Sequence, residues 1–167
     1  MNKGRYALSL ALVLLLQAVA FSWLRIFSAR MNLALVFCIA LAFRYGEKWG
    51  GYTGLFLGLM EDIMFAQVLG IRALLYFLAG FFVGRFVFRS KQHLPIGIFV
   101  SFLITFFFSI GHAFICYLLA MPGIPISYFK GPLFLEALFN GLLFIPIHFF
   151  VHRYLQPNSM NKYLTYR

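Results

Sequence analysis

The sequence is poor in charged residues, and above all in acidic ones. Only 11% of its 167 residues are charged, and four Asp and Glu residues stand against 14 Lys and Arg residues. Soluble domains have about 25% charged residues. This low charge, with 63% hydrophobic residues and a mean hydropathy of +0.89, excludes a soluble globular protein. We therefore interpret the chain as a polytopic membrane protein, with a single integral membrane domain over residues 1–167.

Sequence motifs for catalysis and cofactor binding are also missing. The chain has no Ser/His/Asp set, no HExxH and no Gly-rich phosphate loop. Cys38 and Cys116 lack the spacing of a CxxC motif, and we interpret them as small apolar residues. His148 and His152 have a spacing compatible with a metal, but no carboxylate or thiolate lies near them, so packing at the membrane interface is preferred. We predict no enzymatic activity, no cofactor and no metal site.

Six apolar segments approach the length of about 20 residues that crosses a bilayer as a helix. The predicted fold class is therefore all-α, with six transmembrane helices. The second segment is short, and it either extends back over residues 28–31 or stops short of full depth. The segments are Tyr6–Leu24, Asn32–Phe43, Trp49–Phe65, Arg72–Phe88, Pro95–Ala120 and Leu133–Val151.

The cations between these segments predict the orientation in the membrane. With the N-terminus inside, ten of the 14 Lys and Arg residues face the cytoplasm, which agrees with the positive-inside rule. Both termini are then cytoplasmic, and the cations near headgroups contact anionic lipid rather than nucleic acid. The four cations left outside are Arg25, Arg30, Arg72 and Lys130.

A ladder of glycines runs through the third segment and ends at an acid. Its members recur every fourth residue: Gly46, Gly50, Gly54, Gly58 and Asp62. On a helix this spacing forms one stripe, and in lipid small residues at this spacing let a second helix approach closely. Gly80 and Gly84 repeat the spacing in the fourth segment. The approaching helix belongs either to this chain, which is the preferred interpretation, or to a partner.

Three of the four acids fall at the predicted outer ends of segments three and six. They are Glu61, Asp62 and Glu136; Arg72 starts segment four from the same side, and Asn140 follows Glu136 by one helical turn. Ionisable groups within a membrane are costly unless paired or hydrated, so this cluster is the candidate functional site. Two interpretations stay open. Either an Asp62–Arg72 pair locks the turn between two segments, or the cluster binds a partner or ligand.

Two stretches of the sequence carry a family resemblance. The first is Gly54-x-x-x-Gly58-x-x-x-Asp62, followed by Leu69-Gly70, Ala73-Leu74-Leu75-Tyr76 and Gly80, and the second is Glu136-Ala-Leu-Phe-Asn140 followed by Pro146. Together they resemble the bacterial rod shape-determining protein MreD family, and the resemblance covers most of the chain. Met31-Asn32 departs from it, because the family often has Pro-Asp at the start of the second span.

The resemblance implies a non-enzymatic scaffold or adaptor of the cell-elongation machinery in the bacterial cytoplasmic membrane. It implies binding to the single-span protein MreC, and work with MreB filaments and peptidoglycan synthases. The family also resembles, in fold, the substrate-binding subunits of energy-coupling-factor vitamin transporters, which is the alternative function. Against that alternative, no outer loop is dense in polar and aromatic residues. The candidate partner-interface or helix-packing residues are Gly50, Gly54, Gly58, Asp62, Gly70, Arg72, Gly80, Gly84, Glu136 and Asn140.

Overall fold

A computed structural model describes residues 3–23, 25–26, 29–66, 68–87, 93–121 and 126–155. Over these residues the chain is helical except for one antiparallel pair of two-residue strands. In chain order the elements are α1 (Lys3–Trp23), β1 (Arg25–Ile26), β2 (Ala29–Arg30), α2 (Leu33–Tyr45), α3 (Glu47–Phe65), α4 (Ile71–Phe86), α5 (Leu94–Leu118), α6 (Ile126–Lys130) and α7 (Pro132–Tyr154).

Each predicted segment corresponds to one helix, with ends that differ by no more than three residues. The helical fold class is therefore confirmed, while α6 and the strand pair are too short to show a periodic pattern. Two helices, α5 and α7, are long and apolar enough to cross a membrane by length and composition alone. In α3, four glycines and four charged residues lower the hydropathy. A crossing by all six helices stays a prediction.

The short helix α2 forms the centre of the bundle. The ten residues Ala34–Phe43 are each at most 1% exposed, and α1, α3, α4, α5 and α7 all pack against this helix. Its sequence is apolar on every side, as expected of a helix without a solvent-facing stripe. It begins at Leu33, so the helix does not extend back toward residue 28. Because protein encloses α2, its length need not match that of the apolar layer.

The glycine ladder brings the backbones of α3 and α4 into direct contact. A Cβ atom on Gly54 would lie 2.2 Å from the carbonyl oxygen of Tyr76, and one on Gly80 would lie 2.3 Å from that of Gly50. Side chains do not fit at such distances, so glycine is required by close approach. The helix that approaches the ladder is thus α4 of the same chain. We call this contact the glycine seam: Gly50, Gly54, Gly58, Gly80 and Gly84.

One end of the bundle gathers the start of α1, the corner between α2 and α3, and the end of α7. Tyr6 Oη and Thr53 Oγ1 are 2.7 Å apart, and the Tyr45 hydroxyl donates to the carbonyl oxygen of Leu155 at 2.6 Å. The corner itself is a single residue, Gly46, whose φ of 87° is in the region that favours glycine. These three segments, which the orientation prediction assigns to the cytoplasm, therefore lie at the same end.

We expect the Gly54→Ala variant to be less stable than the unmodified protein. Its added methyl group would meet the Tyr76 carbonyl oxygen, and overpacking of this kind costs about 1–3 kcal/mol. The matched control is Gly131→Ala, because nothing lies within 4 Å of a Cβ atom at Gly131 and its φ of −156° is outside the left-handed region that favours glycine. Both variants are heated in detergent and followed by size-exclusion chromatography. Equal melting of the two variants would contradict the seam.

Candidate functional site

Asp62 closes the turn between α3 and α4 through the backbone. Its side chain is completely buried, and Oδ2 accepts from the backbone N–H groups of Gly70 at 2.9 Å, Arg72 at 3.1 Å and Ala73 at 3.1 Å. The first N–H groups of a helix have no partner within the helix, and a negative charge near them is favourable. Gly70, with φ of +101°, adopts the left-handed conformation that starts α4. Asp62 therefore provides the acceptors for the start of α4.

The predicted charge pair between the side chains of Asp62 and Arg72 is wrong. Asp62 binds the backbone of Arg72, whereas the guanidinium Nη1 of Arg72 lies 3.6 Å from Oε2 of Glu61. Successive residues on an α-helix point about 100° apart, so the neighbours Glu61 and Asp62 face different groups. The turn is locked, as one of the two interpretations proposed. The hydrogen bonds that hold the turn come from backbone N–H groups, which a search for opposite charges in the sequence does not reveal.

Four buried polar side chains meet where α2 begins. Asn32 caps this helix, because its Oδ1 accepts from the Leu35 N–H at 2.9 Å. The Tyr76 hydroxyl oxygen lies 2.8 Å from the same Oδ1 and 2.9 Å from Oε2 of Glu61. The backbone N–H of Asn32 donates to Oδ1 of Asn140 at 3.0 Å. We call this set the polar junction: Asn32, Glu61, Tyr76 and Asn140.

Hydrogen bonds extend from the polar junction to α1 and α5. Gln17 of α1 accepts from the N–H of Leu33 at 2.8 Å. On the other side, Nδ2 of Asn140 donates to the hydroxyl of Thr105 at 3.2 Å, and that hydroxyl donates to the carbonyl oxygen of Ser101 at 2.8 Å. Side chains of α1 and α7, together with the cap residue Asn32, therefore satisfy the start of α2, which a bilayer interior could not do.

The candidate residues predicted from the sequence fall into three places. The five glycines of the stripes form the glycine seam, and Asp62, Gly70 and Arg72 form the turn into α4. On α7, Glu136 and Asn140 are both buried. Asn140 joins the polar junction, whereas Glu136 accepts a hydrogen bond from the hydroxyl of Tyr128.

Sequence reasoning left three members of this network out of the candidate set. Asn32 stands directly before an apolar run, which is the usual position of an N-cap. Tyr76 is part of the family motif but not of the set of candidate interface residues, and Glu61 belongs to the predicted acidic cluster but is likewise absent from that set. Each is a polar residue within an apolar segment, and that was the signal that could have identified them.

A comparison with known families decides where the chain belongs. The family model described as rod shape-determining protein MreD matches residues 3–154. The chain belongs to the MreD family. This is a family of membrane proteins with a structural role in rod-shape determination, and it is not known as enzymatic. The resemblance drawn from the sequence is thereby confirmed. No curated protein and no solved structure matches the chain, so the likeness to vitamin-transporter subunits stays a prediction.

We expect Asp62→Ala to destabilise the protein strongly and Asp62→Asn to do so less. The alanine variant leaves three backbone N–H groups without their acceptor, at about 1–3 kcal/mol for each group that stays buried, while asparagine retains one acceptor oxygen. Adding Arg72→Gln to Asp62→Ala should not restore stability, because the substituted residue keeps its backbone N–H. Protein levels in membranes and melting in detergent measure both effects. Recovery in the double variant would favour a side-chain charge pair instead.

Proposed function

We propose that this protein is a non-enzymatic scaffold of the bacterial cell-elongation machinery, which serves rod shape and peptidoglycan synthesis. In this role it binds a single-span protein of the MreC type in the cytoplasmic membrane. MreB filaments and peptidoglycan synthases are further partners of the same assembly. The observation that carries the proposal is the family match over residues 3–154.

The buried polar groups form hydrogen bonds within the chain itself, and this supports a scaffold role. Asn32, Asp62 and Asn140 are each hydrogen-bonded to backbone or side-chain groups of the same chain. These bonds join helices that are distant in sequence, and a bundle tied in this way presents a fixed outer surface to a partner. No observation on this chain favours the vitamin-binding alternative over the scaffold.

The position of the glycine seam restricts where a partner helix can bind. The seam is filled by α4, so a partner must contact the outward faces of the bundle. Large apolar side chains are exposed on several helices, among them Leu15 of α1 at 67%, Tyr52 of α3 at 68% and Phe107 of α5 at 68%. These faces meet lipid or a partner helix, and labelling from each of them can distinguish the two.

The proposed orientation places both termini in the cytoplasm. We expect Leu69→Cys, in the turn before α4, to react with a membrane-impermeant thiol reagent added to intact cells, and Arg85→Cys, near the end of α4, to stay unreactive until the membrane is opened. Both positions are well exposed, and the native Cys38 and Cys116 are buried, so the unmodified chain is the background control. The reverse labelling pattern would contradict the orientation. The same orientation predicts that Ser28 and Ile124 lie outside the membrane, but these two residues are not among those that the structure describes.

Photocrosslinking tests the proposed partner directly. We expect a photoreactive amino acid at one or more of Leu15, Tyr52 and Phe107 to capture the MreC-type protein in native membranes, identified by mass spectrometry. The same residue at Ala40, which is 0% exposed, should capture none. The substituted chains must also restore rod shape in cells that lack the protein. Restored shape with lipid adducts alone at all three positions would contradict direct binding at these faces, and a bound vitamin would favour the alternative.

A further inference from the structure

The Tyr76 hydroxyl lies between two oxygen atoms, and it has one proton. Its oxygen is 2.8 Å from Oδ1 of Asn32 and 2.9 Å from Oε2 of Glu61, and both distances are those of hydrogen bonds. A phenol donates once, and an ionised carboxylate and an amide oxygen only accept. With Glu61 ionised, one of these two contacts would set lone pairs against lone pairs without a proton. A second proton is therefore needed.

Asn32 cannot supply that proton. Its Oδ1 also accepts from the backbone N–H of Leu35 at 2.9 Å, so exchanging the oxygen and nitrogen of the amide would set two donors against each other. The orientation of the Asn32 side chain is thus determined by its role as the cap of α2. The remaining source is the carboxyl group of Glu61.

The second oxygen of Glu61 leads independently to the same conclusion. The residue is 3% exposed, and Oε1 is buried without a hydrogen-bond partner. In a carboxylate this oxygen would carry half of the negative charge without a hydrogen-bond donor among the described residues, whereas in a carboxylic acid it is a neutral carbonyl oxygen. An unsatisfied buried charge costs far more than an unsatisfied buried carbonyl oxygen.

The charges around Glu61 balance when it is neutral. Asp62, next to it on α3, is held by three N–H groups as expected of a carboxylate, and Arg72 of α4 brings one positive charge within 3.6 Å of Oε2. The other two members of the polar junction, Asn32 before α2 and Asn140 of α7, are uncharged amides. His112 of α5 is in electrostatic range of Arg72 and Asp62. One proton on Glu61 brings the two acids and the arginine to net zero, the favoured sum in a poorly hydrated site.

We propose that Glu61 is a proton-binding site of the folded protein. Its Oε2–H group donates to the Tyr76 hydroxyl, and that hydroxyl donates to Oδ1 of Asn32. The proton enters from water when the chain folds, and no bond other than O–H is made or broken. Loss of the proton would turn the Tyr76 hydroxyl toward Glu61 and remove its donation to the cap of α2. The protonation of one side chain is in this way connected to the start of the central helix.

The test uses the full chain in phospholipid bilayers, labelled with ¹³C at the side-chain carboxyl carbon of glutamate. The sequence has three glutamates, Glu47, Glu61 and Glu136, so solid-state NMR gives at most three signals. At neutral pH we expect a signal at the position of a protonated acid that is lost in Glu61→Gln. The control is Glu47→Gln, which should remove a carboxylate signal, because Glu47 is partly exposed beside Arg85.

Two results would overturn the proposal. One is a wild-type spectrum at neutral pH in which every signal stands at the carboxylate position. The other is a protonated signal that persists in Glu61→Gln, because it would then belong to Glu136. The glutamine side chain also provides an N–H group that can donate to Tyr76, so Glu61→Gln should accumulate at the wild-type level. Failure of that variant to accumulate would count against the proposal as well.

Discussion

Backbone N–H groups at the start of a helix need acceptors, and this constraint shapes the interior of the protein. Helix α2 begins inside the bundle, where water is not available to satisfy these groups, and α4 begins at a partly exposed turn beside the buried side chain of Asp62. At α2 the acceptors come from Asn32, Gln17 and Asn140, and at α4 they come from Asp62. The burial of these four polar residues is therefore explained by two helix ends. A cluster of polar side chains within a membrane protein can serve the backbone before it serves a ligand.

The glycine seam and the polar groups depend on each other. Because α3 and α4 touch through their backbones, the last turn of α3 lies against the first turn of α4. Asp62 can then reach the N–H groups of α4, and Glu61 can reach Tyr76. Side chains in the seam would separate the two helices and draw these acids away from their donors. The small residues thus position the acids, and the acids hold the helix start.

This arrangement is relevant to the role in rod shape. The MreD family acts within a membrane assembly, and an adaptor needs a surface that keeps its form while partners act on it. Hydrogen bonds from α1, α4 and α7 converge on the start of α2, and residues Ala34–Phe43 of α2 are enclosed. The interior is occupied by these contacts. In the scaffold role that we propose, a partner would bind to the outer helix faces, where large apolar side chains are exposed.

The sequence by itself determined the helices and the close packing of the third segment. Long apolar runs define helices in any protein of this composition, and a glycine at every fourth position permits one kind of contact whatever the partner. Family membership was also readable, because its motifs are local: Gly54 to Asp62, and Glu136 to Asn140.

Only the tertiary structure decided which groups the polar side chains bind. The sequence suggests pairs of opposite charge, such as Asp62 with Arg72. Backbone N–H groups look the same at nearly every residue, so the sequence does not show which of them an acid binds. Asp62 accepts hydrogen bonds from three backbone N–H groups, and Asn32 meets Asn140, 108 positions away in the chain. Both contacts follow from how the helices pack. The proton inferred on Glu61 belongs to the same class of fact. It depends on the two side-chain oxygen atoms, of Asn32 and Glu61, that the fold brings to the Tyr76 hydroxyl group.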